Sequence, residues 1–294
     1  MTQNAQPDAK PVFGTHGNSL YFHTELGIAD LVREIRSRLA LLPQHVDFLV
    51  MAGPARVGTT VLQVLASQLP GVFCAEFQPF KYMLRHGIEA DSFTYDQFHI
   101  NGLPGTIVLK ETIGPEREIE CKLDPVEILV QAGIHPQRIR ALYILRDPLT
   151  AYHSWKKFVT TRPQCYEWTQ STIVNAYERD RRRLKSCVPF FYEALEHNDP
   201  AVLVRMFQTL GFQEIENNPQ LLFQEDAIRS KNRWNEATKN YYWDNVVAPM
   251  VGKGSFQFQV RPTPELPPGE AQEMQKFVPA FEAWKRMSAE ILSL

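Results

Sequence analysis

Residues 53–60, Gly53-Pro-Ala-Arg56-Val57-Gly58-Thr59-Thr60, have the make-up of an anion-binding loop. Two glycines with four residues between them allow a tight turn. The threonines that follow open a helical pattern, so backbone N–H groups and a helix N-terminus would face one anion. A nucleotide triphosphatase of this spacing carries Lys directly after the second glycine to hold the β- and γ-phosphates. Thr59 stands there instead, and the loop's cation, Arg56, lies two positions before Gly58. The missing lysine counts against ATP or GTP hydrolysis. A glycine turn of this kind also occurs simply as a turn, so the loop alone does not decide the chemistry.

Further residues suit anion or proton chemistry. Arg146 is followed eight residues later by Ser154, which offers a forked, permanent cation and a neutral hydroxyl donor to one phosphate. Standing alone, Arg146-Asp147 would be an ordinary surface pair at a helix start. Lys110 follows the apolar run Ile107-Val-Leu, and Glu76 follows Val72-Phe-Cys-Ala, flanked by Phe77 and Phe80. Apolar neighbours of that kind would raise the carboxyl's pKa towards neutrality, as a general base requires. Pairing with a nearby cation is the plainer role for Glu76, and a surface position with its stem laid along apolar groups is the plainer one for Lys110.

These residues need a frame. Ile28, Leu31, Val32, Ile35 and Leu39 recur on one helical face, and Asp47 to Ala52 is a short apolar run of the type buried in parallel sheets. Strand candidates follow at 72–75, 106–109, 141–145 and 188–192. Helical stretches lie between them around 61–69, 80–86, 125–132, 149–158 and 173–185, with a last one carrying Phe277, Phe281, Trp284, Met287 and Ile291 on one face. Alternating strands and helices predict an α/β fold of three layers, a central mostly parallel sheet of about five strands flanked by helices. Ligands of such sheets bind beyond the carboxyl ends of the strands, where Gly53–Thr60, Glu76, Lys110 and Arg146 would gather. Residues 1–20 read as a flexible arm and 21–294 as one domain, in which 217–268 form long loops. The run Glu178 to Lys185 reads as a solvated helix face of mixed charge.

With these residues in place, the chain resembles the PAPS-dependent sulfotransferases (PAPS is 3'-phosphoadenosine 5'-phosphosulfate). Their loop, approximately P-[KR]-S-G-T-[TS], corresponds to Ala55-Arg56-Val57-Gly58-Thr59-Thr60, with Pro54 displaced by one and Val57 in place of serine. Arg146 with Ser154 matches the family's pair for the 3'-phosphate. Val188-Pro-Phe-Phe-Tyr192-Glu193-Ala-Leu, then Asp199-Pro200 and Leu210-Gly211, matches its late strand and helix. The resemblance spans roughly 48–212 and implies a P-loop-like sulfotransferase fold. It implies that Arg56, Val57, Gly58, Thr59, Thr60, Arg146, Ser154 and Tyr192 bind the donor. It implies that Lys110 meets the sulfuryl and bridging oxygens, and that Glu76 is the acceptor's base, as in the tyrosylprotein and heparan branches. Lys253 and Gly254, in a late basic glycine loop, would close on the 3'-phosphate. The small-molecule branch uses a histidine base, for which His86 and His153 are the nearest candidates. A tryptophan that stacks on adenine in some relatives is Val61 here, so the adenine contacts are not placed.

Composition narrows the alternatives. A formal net charge of −2 from 31 basic and 33 acidic residues does not suit a nucleic-acid binder, and no stretch reaches the roughly 20 apolar residues of a membrane helix. Cys74, Cys121, Cys165 and Cys187 are scattered without a metal spacing, so the expectation is a reduced, cytoplasmic protein without a metal cofactor. The reading is O-sulfation of a small acceptor from PAPS, releasing adenosine 3',5'-bisphosphate (PAP). N-sulfation of an amine or guanidine is a variant of it. A P-loop kinase or nucleotide hydrolase, and an inactive nucleotide-binding module, are the competing classes. Acceptor identity and oligomeric state are open.

Overall fold

The computed structural model describes residues 26–40, 42, 45–74, 78–87, 105–157, 161–197, 199–213 and 265–294. Five strands form one parallel sheet: β1 (Asp47–Pro54), β2 (Val72–Cys74), β3 (Thr106–Ile113), β4 (Ile139–Leu145) and β5 (Ser186–Phe191). Their order across the sheet is β2-β3-β1-β4-β5. The helices are α1 (Ile28–Leu39), α2 (Thr59–Ala66), α3 (Pro79–His86), α4 (Glu118–Cys121), α5 (Pro125–Gln131), α6 (Pro148–Lys156), α7 (Pro163–Asp180), α8 (Pro200–Thr209), α9 (Pro268–Gln275) and α10 (Val278–Leu292). This is the three-layer α/β architecture expected from the alternating pattern.

The central strands show why the apolar runs are continuous rather than alternating. Every residue of β3 and β4, and every residue of β1 after Asp47, is buried. Both faces are covered, so both sets of side chains must be compatible with the core. Phe48, the Met51–Ala52 pair and Leu142 pack there with Leu31, Ile35 and Leu129 of the covering helices. Truncating Phe48 to Ala would cost about 3–5 kcal/mol, the usual loss for a large buried aromatic.

Three helix starts share one sequence device. Asp124-Pro125, Asp147-Pro148 and Asp199-Pro200 open α5, α6 and α8. The Asp side chain accepts from Glu127 N, Thr150 N and Ala201 N respectively, at 2.9, 2.8 and 2.8 Å. Proline then fills the first helical position, where its missing N–H costs nothing.

The structure differs from the sequence expectations in four places. β3 runs on through Lys110 to Ile113, so Lys110 lies inside the strand rather than at its end. β5 stops at Phe191, and Tyr192 begins a 3-10 turn (Tyr192–His197). The charged run after Glu178 is not simply solvated. α7 ends at Asp180, which is fully buried and accepts from Tyr143 Oη, from Arg179 Nε at 2.7 Å and from Arg183 Nε at 2.8 Å. Arg179 reaches on to Asp124 at 2.7 Å, so the run ties α7 to β4 and α5. On α10, Phe281 and Trp284 are buried and Trp284 Nε1 donates to Phe190 O at 2.9 Å, but Ile291 is exposed. Among the described residues no helix is long and apolar enough to cross a membrane.

Candidate functional site

The chain leaves β1 towards β2 on one side of the sheet and leaves β4 towards β5 on the other. The gap between the carboxyl ends of these neighbours is therefore a topological switch point, the usual ligand crevice of an open α/β sheet. The 53–60 loop leaves β1 there and Arg146 leaves β4 there.

Backbone geometry explains both glycines of the loop. A Cβ on Gly53 would lie 2.6 Å from Ile144 O and 2.8 Å from Val57 Cγ2, so β1 approaches β4 closely only without one. Gly58 has φ +83°, and a Cβ on it would lie 2.5 Å from the Tyr192 ring. The loop also bends left-handed at Arg56, φ 67°, a conformation that costs a residue with a side chain about 1 kcal/mol or more.

Long-range donors hold that bend. Trp155 Nε1 donates to Ala55 O at 2.6 Å, and an Arg146 terminal nitrogen donates to Arg56 O at 3.0 Å. In a trans peptide the N–H points away from the preceding C=O. Two carbonyls drawn towards α6 and Arg146 therefore turn the Arg56 and Val57 N–H groups the opposite way. Val57 contributes only its backbone, since its side chain is buried against Gly53. Thr59 is buried and Thr60 half-buried at the first positions of α2.

Arg146 is held from several sides. Its guanidinium lies 4.4 Å from the Tyr192 ring centre, within cation–π range. Tyr166 Oη donates to its carbonyl at 3.3 Å. Glu193 Oε1 accepts from the next amide, Asp147 N, at 2.9 Å. Among the described residues Arg146 Nε is nevertheless buried without a hydrogen-bond partner, which in a native fold calls for an explanation such as a ligand. Arg56 Nε donates to Ser154 Oγ at 3.4 Å, bringing the loop cation and the α6 hydroxyl together.

Lys110 is buried on β3, paired in register with Met51 of β1. Burial holds its ammonium down to about 7, with Lys81 and Arg56 adding repulsion and Glu111 opposing them. Glu111, its neighbour, is turned to α3, where it accepts from Phe80 N at 2.7 Å; burial pushes its carboxyl up to about 8. Beside it Lys81 donates to Gly114 O, and Arg85 meets Glu120 through two bonds of 2.9 and 2.6 Å.

The fold thus brings Arg56, Gly58, Ser154, Arg146 and Tyr192 together from four separate stretches of chain, with Lys110 close enough to Arg56 for the charges to interact. Glu76, Lys253 and Gly254 lie outside the described residues. His153 is half-buried on α6 next to Ser154, and His86 ends α3. Sequence reasoning missed the supporting residues Trp155, Tyr166 and Glu193. The Asp147-Pro148 cap marks the start of α6 without showing where Trp155 points, and the Tyr192-Glu193-Ala-Leu stretch does not show that Glu193 reaches Asp147. No group of three or more metal-ligating side chains occurs among the described residues.

No protein-family model matches the chain, and no curated protein matches it. Among solved structures it is similar to mouse sulfotransferase SULT7A1 complexed with PAP. The identity is 12% and the TM-score 0.45, over 90% of this chain and 94% of that one.

Proposed function

We propose that this chain transfers a sulfuryl group from PAPS to a hydroxyl of a small-molecule acceptor, releasing PAP, in a reduced cytoplasmic setting. One observation carries the reading. A glycine loop without the triphosphatase lysine is closed by Arg146, whose guanidinium stacks on Tyr192 and whose Nε is a buried donor with no partner among the described residues. That arrangement fits a donor nucleotide with an additional phosphate beside the loop.

In this reading the loop amides at 57–60 and Arg56 hold the 5'-phosphosulfate, while Arg146 and Ser154 hold the 3'-phosphate. PAPS supplies the sulfuryl group and its phosphate leaving group. Sulfuryl transfer resembles phosphoryl transfer in that charge builds on the leaving oxygens, so cations placed there lower the barrier. Arg56 and Lys110 fill that role in the chain's own side chains, and Lys110 is effective in its protonated form. Glu76 takes the acceptor's proton. Lys253 and Gly254 close over the 3'-phosphate. An amine or guanidine acceptor would use the same donor machinery.

The test is calorimetric titration with PAP, ADP and ATP, with and without magnesium. Metal-independent binding of PAP in preference to ADP and ATP is the expected result. Preference for ATP with magnesium would replace this reading by a kinase or nucleotide hydrolase. Tight PAP binding with no sulfuryl transfer to any acceptor would leave a nucleotide-binding module without activity.

A further inference from the structure

The carboxylate of Glu193 is split between two environments. Its Oε1 accepts from Asp147 N, so the 3-10 turn after β5 grips the peptide that directly follows Arg146. Among the described residues its Oε2 is buried with no hydrogen-bond partner, as is Arg146 Nε. The elements around this spot carry several charged or titratable groups. The turn after β4 brings Arg146 and Asp147, and α7 brings Tyr166. The loop brings Arg56, held through its carbonyl by Arg146. α8, packed on the same 3-10 turn, carries Asp199 and Arg205 3.9 Å apart, and α10, packed on β5, carries Lys285 5.9 Å from the Phe191 ring. Of the two groups acting most strongly by charge, Arg146 favours the ionised carboxylate and Asp147 opposes it.

We propose that Glu193 is a positioning residue for Arg146 and its counter-ion in the ligand-free protein, and that it takes up a proton from solvent when a phosphate docks on Arg146 and replaces it in that role. The inference rests on the reading of Arg146 as the anion-binding cation. An arriving anion both neutralises the attraction of Arg146 and repels the carboxylate, and a buried carboxyl stripped of its counter-ion favours the neutral form. The proton has a place to go. Oε2 accepts it while Oε1 continues to accept from Asp147 N, so the grip on the turn survives. Burial already holds the Glu193 carboxyl up to about 7, which sets the exchange near neutral pH. No bond other than O–H forms, and the proton comes from the buffer.

The experiment is calorimetry with PAP at pH 7.5 in two buffers of different ionisation heat. It is run in the Lys110→Arg background so that Lys110 contributes no proton of its own. With Glu193 present, uptake should exceed that of the Glu193→Gln variant by roughly half a proton per ligand, as a carboxyl near pKa 7 raised by an adjacent anion requires. The glutamine amide can still accept from Asp147 N but cannot titrate there, so a merely structural role predicts equal uptake. Equal uptake with intact binding overturns the inference and leaves the sulfuryl-transfer reading standing; absence of PAP binding overturns both. Should Glu193→Gln not fold, infrared difference spectra of the unaltered chain decide. PAP should add a protonated-carboxyl stretch, and its absence sinks the proposal.

Discussion

The guanidinium of Arg146 lies over the ring of Tyr192 at 4.4 Å while donating to the carbonyl of Arg56 at 3.0 Å. One cation thus joins the end of β4, the turn after β5 and the glycine loop after β1. Arg146→Ala should weaken PAP binding by about ten- to a hundredfold, the worth of a charge-assisted hydrogen bond. Arg146→Lys should recover little of it, since an ammonium has no planar face for Tyr192 and its donors share one nitrogen, without the fork that serves Arg56 O and an anion at once. Calorimetry on the three proteins checks this, and unimpaired binding by the alanine variant would remove Arg146 from the site.

Gly58 and Tyr192 are matched in shape. A methyl at Gly58 would meet the ring at 2.5 Å in a left-handed backbone, so Gly58→Ala should displace the ring and weaken PAP binding. The φ angle alone costs about 1 kcal/mol or more. Adding Tyr192→Ala should relieve the clash without restoring affinity, because the stacking surface for Arg146 is then gone. Melting temperatures of the single and double variants separate the two effects.

Lys110 supplies a pH dependence. Its ammonium is held down to about 7 by burial first of all, so it is charged below that value and neutral above it. If the charged form stabilises the leaving group, kcat/KM falls as pH rises through about 7. In Lys110→Arg, which stays protonated, this alkaline fall should vanish. An unchanged profile in that variant would assign the titration to another group.

In the proposed reaction Glu76 is the acceptor's base. Glu76→Gln should lower turnover by about a hundredfold or more, the usual worth of a positioned base, while PAP binding stays close to that of the unaltered chain. Comparing turnover with affinity in one variant separates a base from a donor-binding residue, and normal turnover would eliminate Glu76 as the base.

The buried Arg85–Glu120 pair is a matter of stability. Both side chains are nearly inaccessible, and Lys81 lies 3.9 Å from the same carboxylate. Glu120→Leu would remove the carboxylate that these two buried cations share and should cost about 3–5 kcal/mol. Adding Arg85→Met should recover part of the loss. Urea unfolding of both variants provides the comparison.

What was readable in the chain itself follows from short-range physics. Continuous apolar runs at 48–52 and 141–145 announce strands covered on both faces, and the Asp-Pro pairs announce helix starts. Glycines around Arg56 announce the tight turn between β1 and α2. Each signal is local because backbone conformation and binary burial are set within a few residues. The order β2-β3-β1-β4-β5 was decided only in three dimensions, and it opens the crevice between β1 and β4. The same holds for Trp155 reaching Ala55, Glu193 reaching Asp147, and the buried place of Asp180 in an otherwise charged run. These contacts join residues from about 40 to 100 positions apart, or bury a charge by collecting partners from several elements. No local pattern encodes them, because each exists only once long-range packing has lowered the cost of desolvating the groups it joins.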